Sequence, residues 1–101
     1  MYETIPVNDL DRWLEQGYTG RIVDLRDPES FYRSHLYDAE NYPYEELMEN
    51  PSVLTGEAPV LFYCSRGSES MLACNYYSRQ GLEVYNLGGG YRYYRGKYNA
   101  F

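Results

Sequence analysis

The fold of this chain is decided by the stretch Val60-Leu61-Phe62-Tyr63-Cys64-Ser65-Arg66-Gly67-Ser68. Its first four residues are continuously apolar, which is typical of a central parallel strand that is covered on both faces. Small and polar residues follow, and apolar residues then recur at helical spacing between Met71 and Tyr77. The stretch therefore predicts a buried strand, a tight loop and a helix, in that order.

Strands and helices alternate on either side of this stretch. Residues 21–25 and 83–87 are short apolar runs that predict two further strands. Further helices or helical turns are predicted at 9–16, 28–32, 43–48, 52–54 and 91–95. Short connections between alternating strands and helices indicate right-handed crossovers and a largely parallel sheet, so the predicted fold class is α/β.

The composition predicts one small folded domain with an acidic surface. Leu, Ile, Val and Phe make up only 20 of the 101 residues, but the chain also carries 14 tyrosines and one tryptophan. Because each aromatic ring buries a large area, we expect a core built mainly from tyrosine faces. The formal net charge of −6 makes nucleic acid an unsuitable ligand, because the phosphate backbone would be repelled.

The sequence lacks the patterns of a membrane span, a secretion signal or a metal site. No run approaches the roughly 20 apolar residues that cross a bilayer, and the first residues do not resemble a signal peptide. Cys64 and Cys74 are too far apart for a C-x-x-C pair, and His35 is the only histidine. We therefore expect a cytoplasmic protein with reduced thiols, no metal, no organic cofactor and no membrane partner.

Cys64 stands where an open α/β sheet places its ligands, at the carboxyl end of the predicted central strand. The loop after it can wrap around the thiol, because Gly67 is free to adopt a positive φ and the N–H groups of the following helix would point inward. Such donors stabilise a thiolate, the nucleophilic form of cysteine. From position alone, two interpretations stay open: a catalytic nucleophile and a buried structural cysteine.

Four stretches of the chain resemble the rhodanese family of sulfurtransferases. They are 22–29 with its Asp-x-Arg, Ser34-His35-Leu36 with Ala39, the stretch 60–70, and 85–90 with its glycine turn. Together they span about residues 20–96, in the order and at the spacing of the family. The resemblance implies a rhodanese-like fold of about five mainly parallel strands flanked by helices on both faces, in one domain over residues 1–101.

The resemblance also implies a reaction and its residues. Cys64 would attack a sulfane sulfur, hold it as a persulfide and pass it to a thiol acceptor, the donor being a small sulfane-sulfur compound or a protein persulfide. The substrate-binding loop that the resemblance assigns comprises Ser65, Arg66, Gly67, Ser68 and Glu69, with Ser70 at the start of the following helix. Asp24, Arg26 and His35 match framework positions near the site. For these three we expect structural roles, with Asp24 and Arg26 fixing neighbouring loops by charge-assisted hydrogen bonds.

Two positions in the loop depart from active relatives, which commonly carry arginine after the cysteine and before the helical serine. Here those positions hold Ser65 and Glu69, so Arg66 is the only cation of the loop. We therefore expect weak binding of a doubly charged donor such as thiosulfate. An acidic residue in the first turn of a helix also stabilises the helix dipole, and this second interpretation of Glu69 stays open.

Two other functions fit parts of the pattern. Cysteine phosphatases need an arginine six positions after the cysteine, where this chain has Ser70, and without it an oxyanion transition state loses its main stabiliser. A non-catalytic rhodanese-like binding module is the stronger alternative, which Glu69 favours and Cys64 opposes. Cys74 is interpreted as a core residue, with a resolving thiol as the alternative role.

Overall fold

The computed structural model describes residues 1–56 and 58–101. Its strands are Glu3–Pro6 (β1), Arg21–Asp24 (β2), His35–Leu36 (β3), Glu40–Asn41 (β4), Val60–Tyr63 (β5), Val84–Gly88 (β6) and Asn99–Ala100 (β7). Its α-helices are Leu10–Glu15 (α1), Pro28–Arg33 (α2), Tyr44–Glu49 (α3) and Ser68–Arg79 (α4). Single 3-10 turns cover Val7–Asp9, Pro51–Val53 and Tyr91–Tyr93. None of the helices in the described ranges is long and apolar enough to cross a membrane.

Five strands form one parallel sheet in the order β1-β6-β5-β2-β4. The apolar strand β5 lies at its centre, and all four of its residues are buried. β3 and β7 form a separate antiparallel pair. The predicted α/β architecture, with five mainly parallel strands and helices on both faces, is confirmed. The central position of β5 follows from its composition, because only a strand covered on both faces needs an uninterrupted apolar run.

Helices cover the two faces of the sheet with separate apolar clusters. On one face, α3 and α4 pack Leu47, Ala73 and Tyr77 against Phe62 of β5. On the other face, Leu10 of α1 packs with Leu36, Leu61, Tyr63 and Tyr94. Adjacent residues of β5 therefore enter different clusters, as the alternation of side chains along a strand requires.

The expectation of a core made mainly from tyrosine faces was wrong in its extent. Among the described residues, the tyrosines that are buried are Tyr63, Tyr77 and Tyr94, and the rest of the core is mostly aliphatic. Each of these three rings finds a partner for its hydroxyl, because a buried O–H without one is costly. The hydroxyl of Tyr77 donates to the carbonyl of Pro51 at 2.7 Å, and burial raises the pKa of Tyr77 to about 12. The other tyrosines lie at the margins of the clusters or on the surface, because their hydroxyls favour contact with water.

The sequence patterns located β2, β5 and β6 but missed the edge strands. β1 buries only Ile5 among its four residues, and β4 has only two residues, so neither carries a periodic apolar signal. The last predicted helix, 91–95, is shorter in the structure and forms one 3-10 turn over Tyr91–Tyr93. The two missed strands lie at the edges of the sheet, where pairing with a neighbouring strand decides the conformation.

Candidate active site

The loop after β5 encloses the sulfur of Cys64. Gly67 adopts a φ of 99°, a left-handed conformation that favours glycine, and α4 begins at the next residue. This turn directs the backbone N–H of Gly67 to Cys64 Sγ at 3.1 Å and the backbone N–H of Ser70 to the same atom at 3.4 Å. Two amide donors and the N-terminus of a twelve-residue helix therefore face one sulfur atom. Such an arrangement can stabilise negative charge on that sulfur.

Cys64 is only 2% exposed, so its sulfur lies beneath the loop and has almost no contact with solvent. Ser65, Arg66, Ser68 and Glu69 are exposed and form the outer surface of the loop. The position of Cys64 at the end of a strand predicted the loop but left the burial of the cysteine open, because this burial depends on a distant segment of the chain that packs over the loop.

That distant segment is the turn after β6. The N–H groups of Tyr91 and Arg92 donate to the carbonyls of Cys64 and Ser65 at 2.9 and 3.2 Å. Gly90 has a φ of 85°, and a Cβ built on it would lie 2.2 Å from the carbonyl oxygen of Ser65 and 2.6 Å from Cα of Arg66. Only glycine therefore allows the two backbones to approach this closely.

A buried chain of polar side chains lies on the inner side of the sulfur. Cys64 Sγ is 3.6 Å from Ser70 Oγ, to which the thiol donates. The hydroxyl of Ser70 has two acceptors within hydrogen-bond distance, the carbonyl of Gly67 at 3.1 Å and Oδ1 of Asn86 on β6. Nδ2 of Asn86 in turn reaches Thr4 Oγ1 at 3.4 Å. Sequence reasoning missed Asn86 as a site residue, although a polar residue flanked by apolar ones in a predicted strand was a usable signal.

Asp24 and Arg26 form a buried ion pair on the neighbouring strand end. Nε and Nη2 of Arg26 donate to both carboxylate oxygens of Asp24 at 2.7–3.1 Å, and Nη2 also donates to the carbonyl of Ser34 at 2.6 Å. The guanidinium lies 4.3 Å from the centre of the Tyr91 ring. The pair thus joins the end of β2, the segment before β3 and the turn that holds the Cys64 loop.

His35 lies apart from the sulfur. Its ring stacks on Phe31 with a centroid distance of 3.9 Å, and Nδ1 is 2.8 Å from the carbonyl of Phe31. Among the described residues, neither His35 nor the Asp24–Arg26 pair makes a hydrogen bond with Cys64. The structure therefore brings Cys64, Gly67 and Ser70 together and places the three framework residues around them.

A cleft of about 830 Å³ lies beside the loop, and Ser65 and Glu69 form part of its wall. Carboxylates outnumber guanidinium groups along its lining. Two of the three guanidinium groups are already paired with carboxylates outside the lining, Arg26 with Asp24 and Arg33 with Glu29. The charged residues of the lining are Asp27, Glu45, Glu46, Glu49, Glu69, Arg26, Arg33 and Arg92. The cleft is therefore an unfavourable environment for a small dianion.

Cys74, the second thiol, belongs to the core cluster under α4 and is fully buried. Burial raises the pKa of the Cys74 thiol to about 12, so this sulfur is protonated and unreactive at neutral pH. The described part of the chain contains no group of three or more His, Cys, Asp or Glu side chains arranged to hold a metal ion.

Comparisons with known proteins agree with this geometry. Residues 6–97 match the sequence profile of the family described as "Rhodanese-like domain". The uncharacterized protein YqhL of Bacillus subtilis is 31% identical over 86 residues, covering 83% of this chain and 68% of that protein. The thiosulfate sulfurtransferase GlpE of Pseudomonas aeruginosa strain PAO1 is 31% identical over 81 residues, covering 79% of this chain and 74% of that protein.

A solved structure extends the likeness to the whole chain at the level of the fold. The rhodanese-like domain protein of Staphylococcus aureus superposes with a TM-score of 0.82 at 19% identity, covering 98% of this chain and 97% of that one. The sequence profile, the named relatives and the amide-lined cysteine loop lead to the same assignment. The chain belongs to the rhodanese-like domain family.

Proposed function

We propose that this protein is a sulfurtransferase that carries sulfane sulfur as a persulfide on Cys64. The observation that carries the proposal is the pair of backbone N–H groups at 3.1 and 3.4 Å from Cys64 Sγ. In the first step the thiolate attacks the outer sulfur of a donor R–S–SH, so that a new S–S bond forms on Cys64 and R–S⁻ leaves with the electron pair of the broken bond. In the second step an acceptor thiolate attacks the outer sulfur and releases the Cys64 thiolate.

The proposed donor is a polysulfide, a low-molecular-weight persulfide or a protein persulfide, and the proposed acceptor is a thiol. Glu69 lies in the wall of the cleft beside the loop, together with the carboxylates of α3. These charges favour donors that are less negative than the thiosulfate dianion. The relative GlpE is named a thiosulfate sulfurtransferase, whereas we propose that this protein uses thiosulfate poorly.

Sulfur loading is the direct test of the proposal. After incubation with a polysulfide, the wild-type protein should gain the mass of one sulfur atom, and Cys64→Ser should gain none. Cys74→Ala is the matched control, because Cys74 is buried in the core with a protonated thiol, and this variant should load like the wild type. A wild type that stays unmodified with several donors, or a Cys64→Ser variant that still loads, would contradict the proposal.

Replacing Glu69 tests the proposed donor preference. Glu69→Arg should raise kcat/KM for thiosulfate about tenfold at low ionic strength, because reversing one charge beside the loop changes the field that a dianion meets. The gain should shrink as salt is added, since Glu69 is exposed and its field is screened. Glu3→Arg makes the same charge change at the opposite end of the parallel sheet and should leave kcat/KM unchanged. Equal values for Glu69→Arg and the wild type would show that Glu69 does not limit thiosulfate use.

A non-catalytic binding module is the second candidate function, and the 2% exposure of Cys64 favours it. The rate of alkylation by iodoacetamide at pH 7 separates the two functions. Amide donors that support a thiolate should make Cys64 react faster in the folded protein than in the same protein unfolded in urea, where these donors are lost. A slower reaction in the folded protein would favour the binding module.

A further inference from the structure

We propose that Asn86 is a positioning residue that sets the direction of the Ser70 hydroxyl and thereby supports the anionic sulfur of Cys64. Asn86 is 1% exposed, Ser70 is fully buried, and the two side chains contact each other directly behind the sulfur. The inference rests on the proposed function, since it concerns the charged form of Cys64 in which sulfur transfer begins.

The hydrogen bonds of the structure fit the neutral thiol. Cys64 S–H donates to Ser70 Oγ, so the serine hydroxyl gives its own proton elsewhere, to Oδ1 of Asn86, with the carbonyl of Gly67 at 3.1 Å as the second acceptor within reach. The asparagine then donates through Nδ2 to Thr4 Oγ1 at 3.4 Å. A hydroxyl has a single proton. While the Ser70 hydroxyl donates that proton to Asn86, it cannot donate to the sulfur of Cys64.

The same series of hydrogen-bonded side chains accommodates the thiolate once the side-chain amide of Asn86 rotates, so that its oxygen and nitrogen exchange places. When the thiol proton is lost, Nδ2 faces Ser70 and donates to its oxygen, and the freed serine O–H donates to the anionic sulfur. Oδ1 then faces Thr4, whose exposed hydroxyl donates to it. Every buried polar atom keeps a partner in both states, because an amide offers an acceptor on one side and a donor on the other.

No charged side chain of the site competes for this role. Arg66 and Glu69 of the loop are exposed and make no hydrogen bond with Cys64 Sγ among the described residues. On the neighbouring strand Asp24 is paired with Arg26, and under α4 the Cys74 thiol is buried and protonated. The Ser70 hydroxyl is therefore the adjustable donor beside the sulfur, in addition to the two fixed amides.

A double-mutant cycle on the alkylation rate tests the proposal without sulfur transfer. All proteins carry Cys74→Ala, so that iodoacetamide reads Cys64 alone. Asn86→Leu should lower the rate constant at pH 7 about tenfold, the size expected when a charged group loses one hydrogen bond. In a Ser70→Ala background the same change should have less than a twofold effect, because Asn86 acts through the serine hydroxyl. The exposed Asn75→Leu is the matched control and should leave the rate unchanged.

The pH profile separates positioning from a loss of structure. The Asn86→Leu deficit should be large at pH 7 and should close in strongly alkaline solution, where a thiol is ionised whatever its surroundings. If Asn86→Leu does not fold, Thr4→Val disturbs the same amide from the exposed end of the chain and should give about a threefold deficit with the same pH dependence. A deficit that is equal in the Ser70→Ala background, or that is constant with pH, would overturn the proposal. Failure of wild-type sulfur loading would instead overturn the proposed function.

Discussion

Gly90→Ala is expected to reduce sulfur loading of Cys64 at least 100-fold and to lower the free energy of unfolding by about 2–4 kcal/mol. Residue 90 has a φ of 85°, and a methyl group there would lie 2.2 Å from the carbonyl oxygen of Ser65. The atom in the way belongs to the backbone of the loop, which cannot move aside as a flexible side chain would. The loop would have to shift, and the hydrogen bond from the N–H of Arg92 to Ser65 would be disturbed. Intact mass measures loading, and urea unfolding measures stability.

Gly81→Ala is the matched control for this prediction. Gly81 has a nearly equal φ of 89°, but a Cβ built on it has no atom within 4 Å. This variant carries the backbone strain without the steric clash, so it should lose about 1 kcal/mol of stability and load sulfur at the wild-type rate. Equal loading by Gly90→Ala and Gly81→Ala would show that close contact between the two turns is not needed around Cys64.

Asp24→Ala is expected to cost about 3–5 kcal/mol in the free energy of unfolding, the second large effect. Asp24 is fully buried and accepts the guanidinium of Arg26 as well as its backbone N–H at 2.8 Å. The Arg26 side chain is 11% exposed, so the variant would leave a charge nearly out of water without its counterion. Urea unfolding, with the denaturant slope checked for two-state behaviour, measures the loss.

Glu40→Ala provides the comparison for that loss. Glu40 also binds a guanidinium through two oxygens, at 2.8 and 2.9 Å from Arg21 of β2, but its side chain is 41% exposed. Two pairs of similar geometry, each with one member on β2, thus differ mainly in burial, and the exposed pair should contribute no more than about 1 kcal/mol. Similar losses for Asp24→Ala and Glu40→Ala would contradict the role that we give to burial.

The centre of the sheet could be predicted from local sequence patterns, and its edge strands could not. The apolar run of β5, the glycine of the loop and the apolar spacing of α4 are contiguous, so the centre of the sheet and its loop could be predicted directly. β1 could not, because Ile5 is its only buried residue and the strand is defined by pairing with β6 near the other end of the chain. β4 was missed for the same reason, since two residues carry no period.

The features of the site also separate into those that local sequence predicts and those that depend on distant segments. The position of Cys64 and the two inward amides follow from the local loop and were foreseen. The burial of Cys64 was only one of two open interpretations, because Tyr91 and Arg92 hold the loop from outside that stretch. Asn86 was also missed as a partner of Ser70, since sixteen positions separate the two residues. Contacts between separate segments determine how the sulfur is enclosed, and no single segment encodes them.

The order of synthesis has a consequence for β1. Thr4 contacts Asn86 across 82 positions of the chain, and within the described ranges β1 lies at the edge of the sheet and pairs with β6 alone. β1 therefore has no partner in this sheet until residues 84–88 have been synthesised, and closing so long a loop is slow. The contact between Thr4 and Asn86 behind the sulfur should thus form late, with the last pairing of a sheet whose centre is already in place.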